Sequence, residues 1–226
     1  MIKFDKVTKK FGEFTALDKV SFDIEKGEFV FVIGASGAGK STLIKLILRE
    51  CLPTEGEIKV KDLNLKEIPK KQMAEYRRKL GVVFQDFKLL FNRTVFENIA
   101  LALRVLGEKE EEINTKVENI LDLVDLKEKA DFFPIQLSGG ELQRVVLARA
   151  VVTEPEIVLA DEPTGNLDLG TAREIVNLLK KINQSGKTIV MVTHNFEIVN
   201  LLNQRVIELD KGKVVSDQKK GKYHLK

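Results

Sequence analysis

Tryptophan is absent from the 226 residues, tyrosine and histidine occur twice each, proline five times and cysteine once. A single cysteine, Cys51, cannot close a disulfide within its own chain, which excludes an oxidised, stapled scaffold and fits a reducing compartment. Its plain role is that of a small buried or tolerated residue. No apolar run approaches the roughly 20 residues that span a bilayer, and the opening MIKFDKVTKKFGEF never sustains a signal-peptide core. A cytosolic chain is expected, one whose association with a membrane requires a partner. An excess of one charge is lacking too. The 37 basic and 34 acidic residues are dispersed and leave a formal charge of +3, which gives little support to dedicated nucleic-acid binding.

What is present is the material of a globular α/β protein, 43% hydrophobic and 31% charged, enough for one large domain or two small lobes. From Ile2 to Ile24 the short runs IKFDKV and KVSFDI, punctuated by Gly12 and Asp18, predict antiparallel strands and turns. EFVFVIG, residues 28–34, is a continuous apolar run, as expected of a strand buried on both faces. It leads through a glycine-rich turn into the helical pattern STLIKLILRE. A short strand around Lys59 and Val60, a polar helix from Gln72 to Lys79 and a buried strand from Leu80 to Phe84, ending at Gln85, follow. From Thr94 to Val152 the period is helical, opening with Thr94 and Glu97 at capping-box spacing. After Pro155 come the strand IVLA, a helix from about Thr171, the strand TIVMVT, a short helix and closing strands around RVIEL and KVV. The lysine-rich end KKGKYHLK is expected to fray, and His224 within it carries no functional support.

Three motifs carry chemistry. GASGAGKS, that is Gly34, Ala35, Ser36, Gly37, Ala38, Gly39, Lys40 and Ser41, satisfies the phosphate-loop pattern and sits between a predicted strand and helix. Its glycines let backbone N–H groups close round phosphates, Lys40 reaches the β and γ oxygens, and Ser41 offers a hydroxyl to Mg²⁺. Thr42 continues the turn into the helix. A triphosphatase also needs an acid at the carboxyl end of a neighbouring strand to hold the metal. Asp161 ends EIVLAD, and Glu162 beside it could orient or deprotonate the attacking water; taken alone, Asp-Glu-Pro is as readily an acidic turn. LSGGE, containing Ser138, Gly139, Gly140 and Glu141, precedes the helical LQRVVLARAVV, so it is either a simple helix cap or an anion site at a helix start.

GASGAGKS, Gln85, LSGGE, IVLADE and Thr193-His194, in this order and approximate spacing, resemble the nucleotide-binding domains of ABC transporters over essentially the whole chain. The resemblance implies an α/β fold with a P-loop NTPase core of ABC type, N-terminal antiparallel strands and an inserted α-helical lobe. Residues 1–226 would form one domain, with a nucleotide-binding core of 1–85 and 153–226 and a helical lobe of about 86–152. ATP and Mg²⁺ are implied as ligands, with Ser41, Gln85 and Asp161 around the metal. Also implied is a homodimer on ATP binding, in which the phosphate loop of one chain faces the LSGGE of the other. By the same resemblance Phe11 stacks on adenine, although an isolated phenylalanine is more often core. Gln85 senses the metal and the attacking water, and His194 contacts the γ-phosphate. Asp168, in GNLD, communicates between the two sites, or simply caps the helix beginning near Leu169.

The stretch DFKLLFNRTVFENIA lies, in that family, near the surface that receives the membrane partner. Phe87, Leu89, Leu90 and Phe91 are either an apolar contact patch or packing for the helical lobe. Many relatives have a proline after the Leu-Leu pair, where this sequence has Phe91-Asn92-Arg93. With DFKLL, NRTVFEN and DEPTGNLD, that departure resembles the family's bacterial cell-division branch, whose ATPases work at the cytoplasmic face of the membrane through an integral permease. The GNLD loop also fits the lipoprotein-release and macrolide-export branches. Soluble ABC ATPases acting on nucleic acid carry long coiled coils or two ATPase domains, and neither is visible here.

Overall fold

The computed structural model describes residues 1–221; residues 222–226 of the lysine-rich end, His224 among them, lie outside the described residues. Two sheets form the frame. The first is antiparallel, in the order β2 (Phe14–Ile24), β1 (Ile2–Phe11), β4 (Glu55–Val60) and β5 (Leu63–Asn64). The second has six strands, in the order β10 (Lys213–Gln218), β9 (Arg205–Asp210), β3 (Phe29–Ile33), β8 (Thr188–Val192), β7 (Ile157–Asp161) and β6 (Leu80–Val83). Within it β9, β3, β8, β7 and β6 run parallel, and only β10 is antiparallel.

The apolar run of β3 is explained by what covers each face. Phe29, Phe31 and Ile33 enter a core shared with the helices α3 (Val95–Leu106), α4 (Glu110–Leu123), α5 (Gly139–Val151), α6 (Leu169–Gln184) and α7 (Phe196–Leu202). Val30 and Val32 point the other way, into a core formed with α1 (Lys40–Ile47) and the antiparallel sheet. Successive side chains of a strand face opposite sides, so a strand between two cores must be apolar throughout. The helices from 95 to 151 therefore share their core with one face of the parallel sheet. Cys51 is half-buried beside the second core, and burial pushes its thiol pKa up.

Local chemistry starts and stops the helices. Thr94 caps α3 with the expected reciprocal box: its hydroxyl accepts from Glu97 N at 3.2 Å and Glu97 Oε2 accepts from Thr94 N at 2.9 Å. Gly107, left-handed at φ 79°, ends that helix. The end of α1 is held from outside by the next helix, α2 (Met73–Arg78). Tyr76 donates its hydroxyl to the Ile47 carbonyl at 2.5 Å, and Arg77 donates to those of Leu48 and Arg49. These are the carbonyls that a helix end leaves without partners.

Candidate nucleotide site

Because the strands are parallel, their carboxyl ends lie along one edge, where α/β sheets bind ligands. The loop after β3 carries Gly34 to Gly39. Gln85 lies just beyond β6, Asp161 ends β7 with Glu162 directly after it, and His194 follows β8 by two residues. Phe14, Ala16, Ser36, Gly37, Gly39, Lys40, Ser41, Thr42, Gln85, Glu162 and His194 line one cavity of about 520 Å³, within the usual range for small-ligand pockets. Gly39 precedes α1 with φ 104° and has no side chain to cap it. The first N–H groups of the helix therefore stay available to an anion.

Lys40 is buried, and its ammonium donates to the carbonyls of Gly34 at 2.8 Å and Ala35 at 3.1 Å. Those two carbonyls occupy donors that a phosphate would take. The Ser41 hydroxyl is 3.5 Å from Asp161 Oδ1. Burial, and then the neighbouring Glu162 charge, raise the pKa of Asp161 above its ordinary value; Ser41 and Lys40 pull it back only in part. A carboxyl so disfavoured as an anion has an electrostatic deficit that a cation beside it would relieve. Among the described residues no group of three or more His, Cys, Asp or Glu is assembled to hold a metal. One carboxylate and one hydroxyl beside a phosphate cradle suit Mg²⁺, which keeps waters and phosphate oxygens as its other ligands.

Glu162 and His194 form a pair at the mouth. His194 Nδ1 is 2.8 Å from Glu162 Oε1, and the His194 backbone N–H donates to Oε2 at 3.3 Å. Since an ionised carboxylate only accepts, Nδ1 carries the proton in this contact. Glu162 has φ 48°, a left-handed conformation rare for residues with a side chain. Its N–H is tied to the Val192 carbonyl at 3.0 Å, which holds the strained residue against the end of β8. Gln85 lies against Gly165, close enough that a Cβ built there would sit 3.2 Å from its Nε2.

The LSGGE residues are elsewhere. Ser138 caps α5, with its hydroxyl 3.4 Å from the Glu141 N–H and Glu141 Oε2 accepting from Ser138 N at 2.9 Å. Glu141 is also paired with Lys129. Ser138, Gly140, Glu141, Arg144 and Thr171 help to line a separate hollow of about 230 Å³. Asp168 caps α6 by accepting from the backbone N–H of Thr171 at 3.0 Å and its hydroxyl at 2.6 Å. Its carboxyl pKa is lowered by those same bonds. Thus α6 begins at Leu169, slightly earlier than the period alone suggested.

Phe11 ends β1. It is 48% exposed, with the Lys9 ammonium 4.7 Å from its ring centre, and it does not line the cavity. Its cross-strand partner Phe14 does. The only signal of Phe14 in the sequence is a second aromatic three residues after Phe11. The stretch after Gln85 is divided as well: Leu89 is buried and Phe87 packs against the core, while Leu90 and Phe91 are exposed. Packing for the helical lobe thus accounts for Phe87 and Leu89, and it leaves Leu90 and Phe91 on the surface.

The ABC transporter family model matches residues 17–165, the stretch that carries the phosphate loop, LSGGE and the paired acids. The chain belongs to that family. Over 224 residues it is 52% identical to the cell division ATP-binding protein FtsE of Bacillus subtilis, covering 99% of this chain and 98% of that protein. It is 46% identical over 227 residues to FtsE of Mycobacterium tuberculosis, covering 100% and 99%. Among solved structures, the ATP-binding cassette MJ0796, a dimer in a post-hydrolysis state bound to ADP and Pi, matches with a TM-score of 0.87 at 38% identity, over 99% of this chain and 100% of that one. The cassette is an ABC-type ATPase similar to FtsE, with the expected P-loop core, antiparallel strands and inserted helices. No helix among its described residues is long and apolar enough to cross a membrane.

Proposed function

We propose that two copies of the chain close head to tail around two MgATP, hydrolyse them and pass the motion to an FtsX-like integral membrane partner, so regulating cell-wall hydrolysis in division. The cassette would then sit at the cytoplasmic face of the membrane through that partner. One observation carries the reading: the phosphate cradle with its Glu162–His194 pair and the capped LSGGE helix start line two different hollows of one chain. A second copy related by a two-fold axis supplies each cradle with the missing half. The similarity to FtsE supports the division branch.

In this mechanism the loop from Gly34 to Gly39 and the start of α1 donate N–H groups to the phosphates. Lys40 exchanges the Gly34 and Ala35 carbonyls for phosphate oxygens. Ser41 and Asp161, with Gln85, would hold Mg²⁺, which would neutralise charge on the phosphates. Glu162 accepts the proton of the attacking water, and His194 keeps the carboxylate aimed while presenting its ring to the γ-phosphate. Phe14, with Phe11 beside it, offers the aromatic face for adenine. Ser138, Gly139, Gly140 and Glu141 of the second chain cover the γ-phosphate, and Asp168 faces across the interface. The exposed Leu90 and Phe91 receive the membrane partner.

The test is Glu162→Gln, which keeps shape and removes the base. Turnover should fall about 100-fold or more, and the variant should run as an ATP-dependent dimer on size-exclusion chromatography. Wild-type turnover would remove Glu162 from the chemistry. Purification from native membranes checks the partner: an FtsX-like four-helix protein supports the division reading, and a lipoprotein-release or efflux permease overturns it.

A further inference from the structure

The turn that follows Gln85 is gripped by a residue outside the nucleotide cavity. Arg149, in the last turn of α5, forks its guanidinium onto two successive carbonyls, donating from Nη1 to Lys88 at 2.8 Å and from Nη2 to Phe87 at 3.0 Å. Burial pushes its pKa down, and no carboxylate acts to raise it. A desolvated cation served only by neutral carbonyls is costly to keep. Its placement must bring something that an apolar side chain would not.

What it holds is a strained turn. Lys88 has φ 49°, a conformation that Cβ disfavours. The Phe87 and Lys88 carbonyls bracket both backbone dihedrals of Lys88, so the fork locks that conformation. The Lys88 ammonium lies 3.6 Å above the Phe84 ring and folds the turn back onto the end of β6. Further on, fully buried Asn98 accepts from Leu90 N and donates to the carbonyls of Leu90, Arg93 and Thr94. The chain is thus pinned at 87–88 and again at 90–94. Only Asp86 separates the first pin from Gln85, whose side chain lines the nucleotide cavity.

Arg149 has a second neighbourhood. With Leu101, Ala102, Val105, Leu106 and Ala150 it lines an open, largely apolar groove of about 350 Å³ on the flank of the helices. Leu101, Val105 and Leu106 are exposed there. One side chain therefore touches both the groove and the turn that carries Gln85.

We infer that Arg149 is a positioning residue for ATP hydrolysis: through the Phe87–Lys88 turn it sets where the Gln85 amide sits in the cavity. The inference rests on the role proposed above for Gln85. Arg149 itself does not line the nucleotide cavity. Its loss should therefore slow the chemical step without weakening ATP binding, since misplacing a reacting group lowers turnover even where binding contacts survive.

The experiment uses the full chain and compares Arg149→Met, which keeps the apolar stem and removes the fork, with Arg149→Lys, Gln85→Ala and Arg149→Met/Gln85→Ala. In Arg149→Met, kcat should fall about 10- to 100-fold with KM for ATP and the melting temperature close to wild type, and amide exchange should rise in residues 85–91. Arg149→Lys keeps the charge but not the two-pronged geometry, and should recover part of kcat. The double variant should be no slower than Gln85→Ala, because both changes act through one group. Wild-type kcat in Arg149→Met overturns the inference, as does a double variant in which the two losses multiply. If Arg149→Met does not fold, Arg149→Lys decides: reduced kcat with faster exchange at 85–91 supports the inference, and neither change overturns it. A Gln85→Ala variant at wild-type turnover overturns the role of Gln85 and this inference together, whereas slow Gln85→Ala with multiplying losses overturns only the part assigned to Arg149.

Discussion

A Cβ at Gly34 would lie 2.2 Å from the Leu209 carbonyl oxygen, in a backbone at φ 149°. Neither the clash nor the dihedral can relax without moving β9 or the phosphate loop. Gly34→Ala is expected to cost about 1–3 kcal/mol of stability, and to weaken ATP binding because the same carbonyl-to-loop spacing shapes the cradle. Urea unfolding and nucleotide titration check the two effects separately. Glu162 shows the opposite arrangement, a side-chain residue kept at φ 48° by its bond to Val192 and its contacts with His194. The sequence displayed Glu162 as a candidate but not its backbone strain, because strain depends on which carbonyl lies opposite.

The elements show how much was legible from local pattern. The box at Thr94 and Glu97 was readable because both partners lie within one helical turn, and the same holds for Ser138 and Glu141. Removing the Ser138 hydroxyl should destabilise the protein by about 1 kcal/mol. If the closed dimer forms as proposed, Ser138→Ala should lower ATP turnover far more than that stability loss explains; thermal melting and steady-state ATPase assays separate the two. Lys129, twelve residues before Glu141, was not readable as its partner. It is the first cause that lowers the Glu141 pKa below the ordinary 4.5, followed by the Ser138 backbone. A depressed carboxylate supports the folded state fully above its unfolded value and loses that support as pH falls through the lowered one. In Lys129→Met the Glu141 carboxyl should therefore titrate closer to 4.5 by NMR, and protection of the first turn of α5 should fade at a higher pH than in wild type.

On the scale of the whole molecule, Arg205 at the start of β9 ties distant segments together. It donates to Asp217 on β10, to Glu28 before β3 and to the Asp23 carbonyl on β2, and its side chain is only 12% exposed. The two carboxylates, Asp217 first, raise its pKa above the usual arginine value. Arg205→Met leaves two acids short of their cation and should cost about 3 kcal/mol, read as a lower urea midpoint with an unchanged slope. No pattern near Arg205 announced this, since its partners are drawn from both ends of the chain.

The amino-acid order alone determined the elements and the kinds of chemistry they carry. EFVFVIG had to be a strand covered on both faces, GASGAGKS a phosphate cradle and LSGGE a capped helix start, because each property resides in residues a few positions apart. Tertiary structure decided which of these share a cavity. Parallel pairing of β3, β8, β7 and β6 brings Lys40, Gln85, Glu162 and His194 to one edge, and it leaves LSGGE in a different hollow. It also put Phe14 rather than Phe11 on the cavity wall, turned Leu89 inward and Phe91 outward, and set Arg149 against carbonyls some sixty positions earlier in the chain. Local periods report which face of a strand or helix is apolar. They do not report what that face meets.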